Sequence, residues 1–257
     1  MQAKARSVSV RWDEVSVWMR LMWLAFAGML IILAQTSVAF ARGESLAPLA
    51  AASSIERVPE RFGLFTVHDQ ADGIRIVLNG EVRIWLADQD GRELTLAYLC
   101  EGDVFGEIAL LDGLQRAANA TTTCTTECLF LPAQAVQKAV AKDPALAQHL
   151  IYSLCELLRR NLGTISSFAF GSLDARLSQV LYDLALDYAN IEGNRATYWR
   201  KFSQLDLAMM LGVSREAVNK RLKDLERRGL VAFEDSKILL PDLSALAKTF
   251  RGQQRAF

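Results

Sequence analysis

Between Ile55 and Leu99 the sequence runs in short alternating apolar segments, each cut off by a turn signal, and this pattern limits the fold more than any other feature. Ile55 and Val58, Leu64-Phe65, Ile74 to Leu78, Val82 to Leu86 and Leu94 to Leu99 read as strands. Asp72-Gly73, Asn79-Gly80 and Asp90-Gly91 separate them. Asn-Gly between two alternating runs is a strong hairpin signal, because the tight primed turns need residues that tolerate positive φ. Several short strands at this spacing predict an all-β roll or barrel. Ala120 to Leu131, rich in threonine, adds further strand. His68 lies in a turn; with His149 the only other histidine, it reads as a turn residue with positive φ rather than a metal ligand.

Inside this β segment, Gly102 to Ala120 has a different character. Ile108, Ala109, Leu110 and Leu111 form a short apolar helical turn between two glycine-bearing loops; Glu107 stands at its start and Arg116 follows nine residues later. Glycines let the backbone come close to a ligand, and N–H groups at a helix start attract anions. The Arg116 guanidinium is a fixed fork suited to a phosphate. A carboxylate repels phosphate but accepts well from a ribose hydroxyl. Sugar, phosphate and close backbone together describe a nucleotide cradle. The alternative is a structural ion pair between Glu107 and Arg116 in a fold that takes no ligand.

Pro132 opens helical sequence, and Asp143-Pro144 starts the longest helix, since proline at a first helical position after an N-cap aspartate is a start signal. Leu150, Leu154, Leu157, Asn161, Thr164 and Phe168 repeat at coiled-coil spacing; a parallel stripe through Ile151, Leu154, Leu158 and Ile165 competes, so the register stays open. Gly171 to Leu177 marks a hinge, and Leu177, Leu181, Leu184, Ala185 and Tyr188 form an amphipathic helix. Ser203 to Leu225 then has the form of a helix-turn-helix. Ser203 caps the first helix, Ala208 is small where two helices cross, and Gly212 makes the turn. Ser214 caps the second helix, whose inner face is Val218, Leu222 and Leu225. Arg215, Glu216, Asn219, Lys220 and Arg221 are left outward, and Arg, Glu and Asn are types that read guanine, cytosine and adenine edges. From Arg195 to Arg228 nine basic residues face four acidic ones, a local excess that suits DNA. Gly229 to Phe233 and Lys237 to Leu240 read as a hairpin wing.

The totals bound the rest. The 257 residues are enough for two modest domains. Lys plus Arg and Asp plus Glu are 29 each, so net charge says nothing about partners. The cysteines (Cys100, Cys124, Cys128, Cys155) form no CxxC pair, which favours reduced thiols over a zinc knuckle or disulfide framework. No cysteine precedes Cys100, so an N-terminal iron–sulfur cluster is not expected. No nucleophile–His–acid set, metal cluster or phosphate-binding loop of the GxxxxGK type is present, which argues against an enzyme. The N-terminal region is ambiguous. Residues 21–41 carry no charge, basic residues precede them, and Ala39-Phe-Ala41 imitates a cleavage pattern. Against a membrane span stand Gln35, Thr36 and Ser37, which leave an apolar core of only residues 21–33.

Two motifs carry a resemblance. Phe105-Gly-Glu-Ile-Ala-Leu110 with Arg116-Ala-Ala118 resembles the phosphate-binding cassette of cyclic-nucleotide-binding domains, and Ser214-Arg-Glu-Ala-Val-Asn-Lys220 resembles the recognition helix of the Crp/Fnr superfamily. The resemblance implies an α+β fold: residues 1–32 an N-terminal extension, 33–142 a cyclic-nucleotide-binding β-roll, 143–170 a dimerisation helix, and 171–257 a winged helix-turn-helix domain. By this match Glu107 takes the ribose 2′-hydroxyl and Arg116 the cyclic phosphate, with Gly106, Ala117 and Ala118 supplying backbone and Thr164 reaching the base from the long helix. Asn161 is a candidate for fixing the dimer register. Ala117, where a hydroxyl would favour guanine, leans the expected effector toward cyclic AMP over cyclic GMP. Arg215, Glu216 and Lys220 would contact bases, with Asn219 a fourth, and Ser203, Gln204 and Ser214 complete the expected DNA-contacting set. The implied protein is a cytoplasmic homodimeric transcription regulator, activator or repressor, on a near-palindromic duplex site, with RNA polymerase as a further partner and no metal. The alternatives are a cyclic-nucleotide sensor tethered to the inner membrane through residues 21–33, and a regulator of this type that answers another signal.

Overall fold

The computed structural model describes residues 43–235 and 237–254. The apolar stretch at residues 21–33 and the cleavage-like pattern Ala39-Phe-Ala41 lie outside them. Among the described residues no helix is long and apolar enough to cross a membrane. The chain divides into two compact units, Met1–Leu86 with Leu96–Cys155, and Ala87–Thr95 with Glu156–Phe257.

The first unit opens with helix α1 (Gly43–Ala52), followed by β1 (Ser54–Val58), β2 (Gly63–Phe65), β3 (Gly73–Asn79), β4 (Val82–Ala87), β5 (Glu93–Leu99) and β6 (Val104–Phe105). A one-and-a-half-turn helix α2 (Glu107–Asp112) interrupts the strands before β7 (Asn119–Thr122) and β8 (Thr126–Pro132), and α3 (Ala133–Lys142) follows. The strands make two four-stranded sheets, in the orders β1-β8-β3-β6 and β2-β7-β4-β5. This is the β-roll that the alternating runs predict. Side chains of β3 alternate between its two faces. Ile74 and Ile76 join Leu49, Leu110, Leu129, Leu131, Val136 and Ala139 in a core that α1, α2 and α3 close, while Val77 packs with Val82, Phe105, Ala120 and Cys128 between the sheets. Arg75 shares the face of Val77 and is buried to 5% exposure. A charge there demands compensation, and the site is built around that demand. His68 has φ 77, as its turn position predicts.

Helix α4 (Pro144–Phe170) runs for 27 residues and contains no buried residue. Asp143 Oδ1 accepts from the Ala145 N–H at 3.0 Å, the N-cap expected before Pro144. Leu150, Leu154 and Leu157, on the first of the two competing stripes, are half-buried within the chain. The other stripe shares Leu154 and keeps the rest of its residues in solvent: Ile151 is 53% exposed, Leu158 58% and Ile165 62%, with Leu162 beside them at 56%. Leu162 continues that row where neither sequence stripe had placed a residue, and Asn161 is exposed beside it.

In the second unit α5 (Leu173–Tyr188) starts at Ser172, whose hydroxyl accepts from the Ala175 N–H, and buries Leu177, Leu181, Leu184, Ala185 and Tyr188. Strands β9 (Ala189–Glu192) and β10 (Arg195–Tyr198) precede α6 (Gln204–Leu211) and α7 (Arg215–Arg227). The wing strands β11 (Ala232–Glu234) and β12 (Lys237–Leu240) follow, then α8 (Leu243–Gln254). The sheet order is β11-β12-β10-β9. Tyr188, Tyr198 and Phe202 meet edge to face, at 5.1 and 5.9 Å between ring centroids, and the Tyr198 hydroxyl donates to the Leu181 carbonyl. Together they fix α5 against the sheet.

Candidate functional site

In the first unit the site is assembled where β6 runs into α2. Antiparallel pairing sets Arg75 opposite Phe105 and Ile76 opposite Val104, which brings Gly106 beside the start of β3. Gly106 adopts φ 86 and turns the chain into α2 with no side-chain cap, so the first N–H groups of the helix carry no capping hydroxyl or carboxylate from that residue. Glu107 follows, half-buried. Burial pushes its carboxyl above the ordinary value, against the pull of its own backbone N–H and of Arg116.

Arg116 is held at both main chain and side chain. Its N–H donates to the Asp69 carbonyl at 2.9 Å and its carbonyl accepts from the His68 N–H at 3.3 Å, so the loop at residues 66–70 fixes its backbone. The side chain turns inward and is only 1% exposed. Nη1 donates to the Gly106 carbonyl at 2.6 Å, and Nη2 donates to Asp72 Oδ1 at 2.6 Å and to the Gly73 carbonyl at 2.8 Å. The guanidinium lies 4.3 Å from the centroid of the Phe65 ring, a cation–π contact that substitutes for part of the lost hydration. Nε is buried with no hydrogen-bond partner. Burial draws the guanidinium below its ordinary pKa, with Asp72 pulling the other way.

The partner of Arg116 is therefore Asp72, and the Glu107–Arg116 ion pair considered from sequence is absent from the described contacts. Asp72 is itself gripped by Arg75, Nη1 to Oδ1 at 3.1 Å and Nη2 to Oδ2 at 2.9 Å, and Arg75 Nε donates to Glu56 at 2.9 Å. The Phe130 ring lies 4.6 Å from Arg75. Burial raises the Asp72 carboxyl, but hydrogen bonds and charge from Arg75 and Arg116 outweigh it and hold the group below the ordinary value. Glu56, Arg75, Asp72 and Arg116 thus form an alternating chain of charges ending at the cradle. Sequence reasoning read Asp72-Gly73 only as a turn. The missed signal was Arg75, a charge inside the buried apolar run Ile74 to Leu78, which called for acids nearby.

Ala117 is exposed and Ala118 half-buried. A surface cavity of about 570 Å³ is lined by Val67, His68, Gln70, Gly113, Leu114, Gln115, Arg116 and Ala117; it takes in the end of the cassette but neither Gly106 nor Glu107. Thr164 is exposed on α4, where its hydroxyl donates to the Arg160 carbonyl one turn earlier at 3.2 Å.

The second unit carries a helix-turn-helix surface. Ser203 caps α6 in a reciprocal capping box with Asp206, and Gly212 ends the helix at φ 62. Ser214 caps α7, accepting from the Ala217 N–H, and Val218, Leu222 and Leu225 are buried as the inner face. Arg176 clamps the turn by donating to the Leu211 carbonyl while stacking 3.8 Å over Phe168. Arg215, Glu216 and Lys220 are exposed. The backbone N–H and Ser214 hydroxyl bonds at the helix start lower the Glu216 pKa, which keeps it an acceptor. Arg221, which the sequence left outward, instead pairs with Asp174 of α5 at 3.3 Å and with Asp224 at 3.4 Å. Arg227 also pairs with Asp224, so this part of the basic excess braces the domain. Asn219 is half-buried and its Oδ1 accepts from Gln204 Nε2 at 3.2 Å, while Gln204 Oε1 faces Arg215 Nε at 3.5 Å. Gln204, Arg215 and Asn219 thus form one linked set across the two helices.

Comparison with known proteins agrees with both units. Residues 57–143 match the cyclic nucleotide-binding domain model, and residues 175–249 match the Crp-like helix-turn-helix domain. The HTH-type transcriptional regulator Cmr of Mycobacterium tuberculosis is 30% identical over 183 residues, 71% of this chain and 70% of that protein. The CRP-like cAMP-activated global transcriptional regulator of the same organism is 28% identical over 193 residues, 75% of this chain and 86% of that protein. Among solved structures, a CRP/FNR-family transcriptional regulator from Thermus thermophilus superposes with a TM-score of 0.61 at 28% identity, covering 77% of this chain and 99% of that one. With both domain models in this order and a regulator of this similarity spanning most of each chain, the protein belongs to the Crp/Fnr family of transcription regulators and is not an enzyme.

Proposed function

We propose that this chain is a cytoplasmic, homodimeric, sequence-specific DNA-binding regulator gated by a cyclic nucleotide, cyclic AMP in preference to cyclic GMP. The observation that carries the reading is the convergence of Arg116, Glu107 and the Gly106 turn at one end of the roll. There a buried guanidinium with an unpartnered Nε and a desolvated carboxylate flank a glycine-opened helix start. Arg116 takes the cyclic phosphate, Glu107 accepts from the ribose 2′-hydroxyl, Gly106, Ala117 and Ala118 supply backbone, and Thr164 reaches the base. The uncovered row Ile151, Leu158, Leu162 and Ile165 on α4 is the dimer seam. Two copies then present their α7 helices about one DNA turn apart to a near-palindromic site, where Arg215, Glu216 and Lys220 read bases and Ser203, Gln204 and Ser214 support them. RNA polymerase is the further partner.

A ligand gates such a dimer only through its differential affinity for the DNA-competent arrangement, about 1–3 kcal/mol in comparable systems. The test is calorimetric titration of the full chain with cyclic AMP and cyclic GMP, beside anisotropy measurements on duplex DNA. Arg116→Ala should abolish nucleotide uptake and leave non-specific DNA binding intact. Failure of the parent chain to bind either nucleotide would remove the gating half of the reading. Equal affinity for all duplex sequences would remove the rest.

A further inference from the structure

The cradle's arginine is already occupied by a carboxylate, and this has consequences for how an anion reaches it. An arginine grips a phosphodiester best through two parallel N–H···O bonds from neighbouring nitrogens of the fork. Nη1 is committed to the Gly106 carbonyl, Nη2 to Asp72 Oδ1 and the Gly73 carbonyl, and only Nε lacks a partner. Nε and Nη2 share an edge of the guanidinium. A phosphate that takes Nε on that edge gains a second bond only if Nη2 gives up one of its two acceptors, and of these the exposed Asp72 carboxylate can move while the Gly73 carbonyl is fixed in the strand backbone.

The surroundings make that exchange local. Asp72 has both oxygens on Arg75, so losing Arg116 leaves it paired. Its side chain is 54% exposed, so the released lone pair finds water. Arg75 keeps Glu56 as well. The Gly106 and Gly73 carbonyls hold the Arg116 guanidinium in place during the exchange. After the exchange Asp72 still stands next to the incoming phosphate with the same sign of charge.

We propose that Asp72 is a built-in competitor for the phosphate of the cyclic nucleotide: it neutralises Arg116 in advance and sets the affinity of the cradle by having to be displaced, with Arg75 as the residue that receives it. The proposal rests on the cyclic-nucleotide reading above and goes beyond it by assigning a residue that weakens, rather than makes, ligand contacts. Ordinary reasoning about a contact network predicts the opposite sign, since removing a support for Arg116 should impair binding.

The experiment is calorimetric titration with cyclic AMP of the full chain, of Asp72→Asn, and of the double variant Asp72→Asn with Arg116→Ala. Asp72→Asn keeps the shape and one acceptor oxygen, turns the other acceptor into a donor, and removes the charge. It should bind about tenfold more tightly than the parent, ~1.4 kcal/mol, which is a modest part of what one unit charge at contact distance exerts near a protein surface. The double variant should bind no better than Arg116→Ala alone; measurable uptake regained by removing Asp72 in the absence of Arg116 would refute a competition for that arginine. Glu60→Gln, which removes an exposed acid paired with exposed Arg61, should change the affinity by less than about twofold, within the range of surface charge effects. If Asp72→Asn binds equally or more weakly, or if Glu60→Gln tightens binding as much, the competitor is refuted while the nucleotide reading stands. If neither the parent nor Asp72→Asn takes up nucleotide, both fall. In the parent chain, the Asp72 carboxylate carbon should also shift in NMR spectra as cyclic AMP saturates the site. A signal unmoved by saturating nucleotide refutes displacement without reliance on any variant.

Discussion

Two glycines flank α2, and they separate backbone strain from packing in a single experiment. Gly106 has φ 86 and Gly113 φ 73, so an alanine at either must enter the left-handed region, at about 1–2 kcal/mol. They differ in what a methyl group would meet. At Gly113 nothing lies within 4 Å of the added carbon, whereas at Gly106 it falls 2.6 Å from Arg116 Nη1 and 3.3 Å from the Gly73 carbonyl oxygen. The guanidinium cannot swing into solvent cheaply, because it is 1% exposed and bound to three acceptors. Retreat would break the Nη1 bond to the Gly106 carbonyl, a charged hydrogen bond of about 1.5–3 kcal/mol. Gly113→Ala should thus lose about 1–2 kcal/mol and Gly106→Ala about 3–4 kcal/mol. Urea unfolding of the two variants, followed by circular dichroism under identical conditions, measures the difference of ~2 kcal/mol directly. Gly106→Ala should also lose nucleotide affinity, since the fork is displaced. Equal destabilisation of the two variants would show that Arg116 is not packed against Gly106 as described and would undo the argument for a fixed guanidinium.

Three further outcomes follow from other parts of the molecule. Leu162→Glu, placed in the exposed row on α4, should convert a dimer to a monomer in sedimentation velocity while leaving the thermal stability of the protomer nearly unchanged, because Leu162 is already 56% exposed. Gln204→Ala frees Asn219 Oδ1 and the facing Arg215; it should alter base preference at one operator position by about 1 kcal/mol, the low end of a side-chain reading, without changing the salt dependence of binding. Anisotropy across a set of singly substituted duplexes reads both. Asp183 is raised to about 6 by burial and by Asp187, so the folded chain keeps this proton to higher pH than the unfolded chain. Stability therefore falls as pH rises from about 4 to about 6 and is flat above. Asp183 is nonetheless an exposed residue by surface area, so the part of it that is desolvated is small and solvent screening trims the effect to under about 1 kcal/mol. Asp183→Asn should remove that slope in melting curves taken between those values.

What could be read in the sequence, and what could not, follows from the range of the interactions involved. The roll was legible because alternation and turn residues act over a few positions. The helix-turn-helix was equally legible, since the Ser203 and Ser214 caps, the Gly212 turn and the Val218, Leu222, Leu225 face are all local. The polar partners were not. Asp72 meets Arg116 across 44 positions, and Gln204 meets Asn219 across 15; no periodicity announces such pairs. Arg221 had the spacing of an outward residue, yet it turns to Asp174 on a different helix. The α4 register stayed open because both stripes are largely apolar and share Leu154. Only the fold shows that Leu150, Leu154 and Leu157 are half-covered while Ile151, Leu158, Leu162 and Ile165 are not.

These missed pairs share a physical logic. A guanidinium fork as deeply buried as that of Arg116 must be neutralised by the chain itself, because an unpaired buried charge costs several kcal/mol. The residues that neutralise it cannot then be neutral toward a ligand. Binding becomes an exchange, and its free energy is the difference between two good partners rather than the full strength of one. The same holds in milder form on α7, where Gln204 holds the amide oxygen of Asn219 that an adenine would otherwise engage. An exchange of this kind favours ligands that match the geometry as well as the charge. A lone phosphate recovers what Asp72 already supplies and the bond from Nε, whereas a cyclic nucleotide adds the ribose contact to Glu107 and the contacts of its base. A charge-matched but sugarless anion such as dimethyl phosphate should therefore fail to compete with cyclic AMP even at large excess. Effective competition by it would mean that Arg116 is open to any phosphate and that Asp72 does not guard it.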